Sequence, residues 1–238
     1  MERDTNDIQQ KAHEEQHFMA TDFIRDIVIG MADGLTVPFA LAAGLSGTVS
    51  NTSLVVIAGM AEIAAGSIAM GLGGYLAART EREHYLSELA RERREIIELP
   101  EYEREEVAEI LRGWALPEPV ISSAVESISA DPDRWVDFMM KHELGLEEPD
   151  PRRARNSSIT IGLSYIVGGI IPLSPYMLVQ TPDTALYLSV IITLIALFVF
   201  GYVKGKFTGS APIKSAWQTT LVGGAAAGIA FIIAKLIA

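Results

Sequence analysis

The sequence contains no cysteine, which excludes disulfide bridges, zinc-thiolate sites and iron-sulfur ligation, and leaves the redox compartment open. It also lacks a G-x-x-x-x-G-K-[ST] phosphate loop, so no ATP-driven step is written into it. Residues 156–182, 184–203 and 215–234 carry no charge, and the last two are runs of 20, the length of a bilayer-spanning helix. Residues 1–20 lack the basic start and apolar run of a signal peptide, so the first span itself is expected to direct insertion.

What is present is sharply segregated. The 238 residues are 49% hydrophobic with a mean hydropathy of +0.26, too apolar for an ordinary soluble domain, yet 21% are charged. Residues 80–150 hold 20 Asp and Glu against 8 Lys and Arg, a balance of −12 beside −11 for the whole chain. An acidic segment of this kind repels nucleic acid and attracts cations.

The stretch Ile27 to Ala78 reads as two further spans, and it carries Asp33 and Glu62 where a bilayer helix should carry no charge. An acid at that depth costs roughly 3 kcal/mol on insertion scales, so it faces a protein interior or an aqueous path and marks an ion or proton route. Pro38 removes a backbone donor near Asp33, and Met70, two turns beyond Glu62, adds a soft sulfur. The second span, Met60 to Gly71, is almost all small residues, which let helices approach closely in lipid.

Asp33-Gly34-Leu35-Thr36-Val37-Pro38-Phe39-Ala40-Leu41-Ala42-Ala43-Gly44-Leu45-Ser46-Gly47, with Glu62 and Met70-Gly71-Leu72-Gly73-Gly74-Tyr75-Leu76-Ala77-Ala78, resembles the vacuolar iron transporter family, and the likeness extends over nearly the whole chain. The resemblance implies a homodimer of five-helix subunits that exchanges ferrous iron for protons, first spans of the two subunits lining the path. It also implies a cytosolic helical metal-binding domain between the second and third spans. Asp33, Glu62 and Met70 would then be the translocation ligands.

The acidic segment reads as helical throughout. The pattern runs unbroken from Leu54 to Glu98, about 70 Å of helix counted from residue 51 at 1.5 Å per residue. Pro100 opens a second helix at its first turn, Pro117 and Pro119 a third, and Asp131-Pro132 a last one. Glu88, Glu92 and Glu95 share one face, as do Glu103 and Glu106; like charges so placed repel and ask for a counter-cation. In an arbitrary protein a solvated face mixed with Arg91, Arg93, Arg94 and Arg104 would explain them better. The resemblance reverses that choice, placing metal ligands at Glu92, Glu95, Glu103, Glu106, Met139 and Glu143; His142 points off that face.

The expected fold is therefore all-α: a tail (1–20), spans one and two (21–79), the acidic metal-binding domain (80–151) and spans three to five (152–238). His13-Glu14-Glu15-Gln16-His17 spells the zinc-protease H-E-x-x-H pattern on a terminus, where a solvated lead-in explains it better, and Glu81-x-x-His84 is a single di-iron half-motif. No enzyme is expected. Gly30-x-x-x-Gly34, Gly201-x-x-x-Gly205 and Gly224-x-x-x-Gly228 fit close helix packing. Lys and Arg flank the acidic domain (Arg79, Arg152, Arg153, Arg155) and lie at Arg25, Lys204, Lys206 and Lys214, which puts the N-terminus and that domain in the cytosol; Lys235 alone dissents.

The function expected is a secondary transporter exporting Fe²⁺, with Mn²⁺ a second cargo, from the cytosol in exchange for protons. Carboxylates take hard and borderline cations, and a thioether disfavours magnesium and calcium. Mn²⁺ or Zn²⁺ should also occupy the cytosolic sites; no tightly bound cofactor and no nucleic acid is expected. The membrane would be a prokaryotic plasma membrane, to which the short N-terminus inclines the reading, or a plant or fungal vacuole. The alternative is a membrane-anchored iron sensor or store, which has no use for carboxylates inside the bilayer.

Overall fold

The computed structural model describes residues 2–237, those before residue 22 by their backbone alone, so the side chains of His13 to His17 lie outside the described residues. Its elements are α1 (Glu2–Ser46), α2 (Thr52–Glu98), α3 (Pro100–Gly113), α4 (Glu118–Ser129), α5 (Pro132–His142), α6 (Arg153–Leu178), α7 (Pro182–Phe207) and α8 (Pro212–Ile237), with no strand among the described residues. Five helices are long and apolar enough to cross a bilayer: α1 from Asp22, α2, α6, α7 and α8. The all-α fold is present among the described residues, with five candidate spans, three of them at the charge-free runs and two in the stretch Ile27 to Ala78. The chain divides into two compact units, Met1–Tyr75 with Arg155–Ala238, and Leu76–Ala154.

The first unit has little conventional core. Ala42, Val55, Ile63, Leu173, Tyr176 and Ala185 join α1, α2, α6 and α7, while Phe39, Ala43 and Ala227 join α1 to α8. Large side chains such as Ile68 and Leu221 point outward, because lipid tails are as apolar as leucine and give no reason to bury them. Packing falls instead to small residues. A Cβ on Gly168 would lie 2.9 Å from the Leu35 backbone nitrogen, and one on Gly34 would strike the Tyr165 backbone, so α1 and α6 touch main chain to main chain. Gly30-x-x-x-Gly34 thus packs helices within one chain. Gly201 and Gly205 do the same for α7 against Ala216 and Pro212 of α8. The third glycine pair behaves differently: nothing lies within 4 Å of a Cβ on Gly228, and it is Gly223 that meets Leu197.

Pro175, inside α6, removes a donor that a side chain replaces. Pro175 leaves the Ile171 carbonyl without its partner, and Ser174 Oγ donates to that oxygen at 2.8 Å. Ser189 Oγ donates to the Pro172 carbonyl at 2.7 Å, and Ser46 Oγ donates to the Tyr176 hydroxyl at 2.8 Å.

In the second unit, the end of α2 packs with α3, α4 and α5 around Ile96, Val107, Ala108, Leu111, Ile121, Trp135, Val136, Met139 and Met140. The doublets at 107/108 and 135/136, each followed by a residue one turn on, give one apolar stripe per helix. Pro100 and Pro132 stand at the first turns of α3 and α5, and Asp131 caps α5 by accepting from the backbone nitrogens of Asp133 (3.0 Å) and Arg134 (3.3 Å).

Candidate metal centres

Three of the expected ligands in the helical unit converge. Glu92 comes from α2, Glu103 from the first turn of α3 and Glu143 from the C-cap of α5, and one carboxylate oxygen of each lies within 4.8 Å of the others. The apolar stripes fix this arrangement: Ile96 sits one turn beyond Glu92, Val107 one turn beyond Glu103, and Met139 one turn before Glu143. Glu92 and Glu103 are 1% and 2% exposed, and Oε2 of each is buried without a hydrogen-bond partner. Buried carboxylate oxygens are normally satisfied, so two orphans on members of one acidic cluster call for a proton or a cation there.

The other expected ligands sit around this triad. Glu95 pairs with Arg91 at 3.3 Å, Glu106 takes the Tyr102 hydroxyl, and Met139 is fully buried in the core, its carbonyl accepting from the Glu143 backbone nitrogen at 3.0 Å. His142 lies edge-on to Trp114, ring centroids 5.2 Å apart, as part of an aromatic group.

Crowding of like charge is visible in the acidities. Burial, then Glu106 and Glu92, push the Glu103 carboxyl from its ordinary 4.5 up to about 7. Glu143 is exposed as a residue but turns its carboxyl into the cluster, where burial, Glu106 and Glu92 outweigh Arg91 and push it to about 7 as well. A carboxyl whose folded value lies above its unfolded one favours folding while protonated, and that contribution is lost as pH rises from about 4.5 to about 7. The metal-free protein should therefore melt at a lower temperature at pH 7.5 than at pH 5. Glu103→Gln should flatten that decline and stabilise the metal-free chain by roughly 1–2 kcal/mol at pH 7.5. Equal pH slopes for parent and variant in thermal melts would show that Glu103 carries no such penalty.

In the membrane unit, Tyr165 of α6 organises the two acids. Its hydroxyl donates to Glu62 Oε1, and its ring fills the space a Cβ on Gly66, one turn after Glu62, would need. Its backbone closes on Gly34, the neighbour of Asp33. Tyr165 is 2% exposed, while Glu62, Asp33 and Met70 are half-buried. Glu62 Oε2 is buried and unpartnered. Pro38, inside α1, cannot supply the backbone donor that the Gly34 carbonyl beside Asp33 would ordinarily receive. Met70 stands eight residues beyond Glu62 on the same face of α2.

Two residues that sequence reasoning passed over matter here. Tyr165 gave no signal beyond being a polar group in a charge-free run, and Arg91 was counted only among the residues of a solvated face.

A polytopic helical membrane protein with carboxylates inside its spans and an acidic helical unit between the second and third belongs to the class built to handle cations. The comparisons narrow this further. The sequence model of the VIT family matches residues 24–235. "Vacuolar iron transporter 1" of Tulipa gesneriana is 54% identical over 225 residues, 94% of this chain and 91% of the relative. The protein of the same name from Arabidopsis thaliana is 53% identical over 225 residues, 94% and 90% of the two chains. "Protein CCC1" of Saccharomyces cerevisiae is 39% identical over 222 residues, 90% of this chain and 69% of the relative. The chain belongs to the VIT family.

Proposed function

We propose that this chain is a secondary transporter that moves ferrous iron, and manganese as a second cargo, out of the cytosol in exchange for protons. The observation that carries the reading is the pair of acids within the spans, Asp33 and Glu62, with one buried oxygen of Glu62 left without a partner. An acid at that depth with a buried oxygen left unsatisfied is too costly to keep for structure alone. Relatives named as vacuolar iron transporters support iron as cargo and a vacuolar membrane as the location.

Asp33, Glu62 and Met70 bind the ion in the span, within a homodimer whose first spans line the path. A carboxylate oxygen cannot hold a proton and a metal at once, so occupancy by either excludes the other. Protons entering from an acidic lumen then displace the metal toward it and leave for the cytosol. The acidic unit, on the cytosolic side with the N-terminus, gathers ions on Glu92, Glu95, Glu103, Glu106, Glu143 and Met139.

The test is Fe²⁺ uptake by proteoliposomes containing the full chain. An acidic interior should drive accumulation, and equal pH on both sides should reduce uptake to the leak. Accumulation independent of the gradient would overturn proton exchange, and binding without accumulation would favour a sensor.

A further inference from the structure

We propose that Arg91 is a built-in counter-cation of the acidic cluster, displaced when a divalent ion binds, and that it thereby sets the cluster's affinity. This rests on reading the cluster as a metal site, for which the buried, unpartnered Oε2 atoms of Glu92 and Glu103 are the second observation beside the gathering of acids.

The geometry around Arg91 is that of a cation bound by three carboxylates. Its Nη1 lies 2.8 Å from Glu88 Oε2, its Nη2 donates to Glu92 Oε1 at 3.3 Å, and its Nε lies 3.3 Å from Glu95 Oε2, close enough for charge pairing but not aligned as a hydrogen bond. Glu92 and Glu95 are two of the expected ligands, whereas Glu88 is not. Glu92 has its Oε2 free while Arg91 holds its Oε1, so an ion competes with the guanidinium where it takes both oxygens of Glu92 or Oε2 of Glu95, and a guanidinium remains charged at any accessible pH, so protonation cannot remove it. Arg91 also has somewhere to go. Its side chain is 42% exposed, and its shortest contact is to Glu88, so it can keep that partner while releasing the other two. An ion that replaces one positive charge with two is attracted more strongly by all the carboxylates at once, which favours a divalent cation over a monovalent one in the exchange.

The test uses the full chain in detergent, carrying Asp33→Asn and Glu62→Gln so that the helical unit dominates binding, titrated with Mn²⁺ by calorimetry at pH 7.5. Arg91→Gln should bind about tenfold more tightly, because a competing charge within hydrogen-bond reach is gone. Arg91→Lys, which keeps the charge but not the three-way fork, should fall between. Arg94→Gln removes the same charge from an exposed position on the same helix and should change affinity less than about twofold, since exposed charges are screened. Circular dichroism confirms that each variant keeps its helices. Weaker binding by Arg91→Gln would mean that Arg91 holds the carboxylates in place, and equal tightening by Arg94→Gln would reduce the effect to net charge; either result overturns the proposal. Glu103→Gln on the same background separates the two levels. If it binds Mn²⁺ as tightly as its parent, the metal-site reading itself fails, and the role of Arg91 with it.

Discussion

Asp33→Asn or Glu62→Gln should each lower pH-driven Fe²⁺ uptake more than about 100-fold, a larger loss than changes outside a metal's own ligands produce. Both substitutions keep size and a hydrogen-bonding group, and both remove a charge that the bilayer would otherwise penalise, so neither should unfold the protein. On the proposed exchange, what they remove is the oxygen that would alternate between proton and metal. Tyr165→Phe provides the graded comparison. It keeps the ring that packs on Gly66 and deletes only the hydroxyl that donates to Glu62, so roughly tenfold loss is expected, the usual scale for an outer partner of a metal ligand. Uptake at the parental rate in both acid variants would remove the path from this reading.

The second large effect concerns the helical unit. Replacing Glu92, Glu103 and Glu143 together with Gln should abolish Mn²⁺ and Zn²⁺ binding there while stabilising the metal-free chain at neutral pH, because three mutually repelling groups become neutral. Transport at saturating metal should survive, and the concentration needed for half-maximal uptake should rise. Loss of transport even at saturating metal would make the unit part of the path instead of a gatherer. Unchanged binding would return the glutamates to the status of a solvated face.

Most of the fold was legible because the signals were local. Charge-free runs of bilayer length mark spans wherever they occur, and the unbroken pattern from Leu54 to Glu98, ended by Pro100, corresponds to one helix, α2. Asp33 and Glu62 stood out as charges in apolar surroundings. What stayed hidden depends on which side chains meet across the fold. Tyr165 lies 103 residues from Glu62 in sequence, and a phenol in an apolar run reads equally well as core or lipid-interface residue until helix packing sets it on a carboxylate. Glycine spacing alone could not choose between Gly223 and Gly228, because the pattern fixes a face and not the neighbour that fills it. Arg91 follows the same logic at short range: adjacent residues on a helix point about 100° apart, and only the length of the arginine side chain brings its guanidinium back to Glu92.

The central claim, that metal and protons exchange on Asp33 and Glu62, is tested most directly by recording the interior pH of proteoliposomes as metal enters. With an acidic interior and Fe²⁺ added outside, the interior should become more alkaline in step with metal accumulation, and Asp33→Asn vesicles should show neither change. Accumulation of Fe²⁺ by the parental protein with no accompanying rise in interior pH would contradict the account.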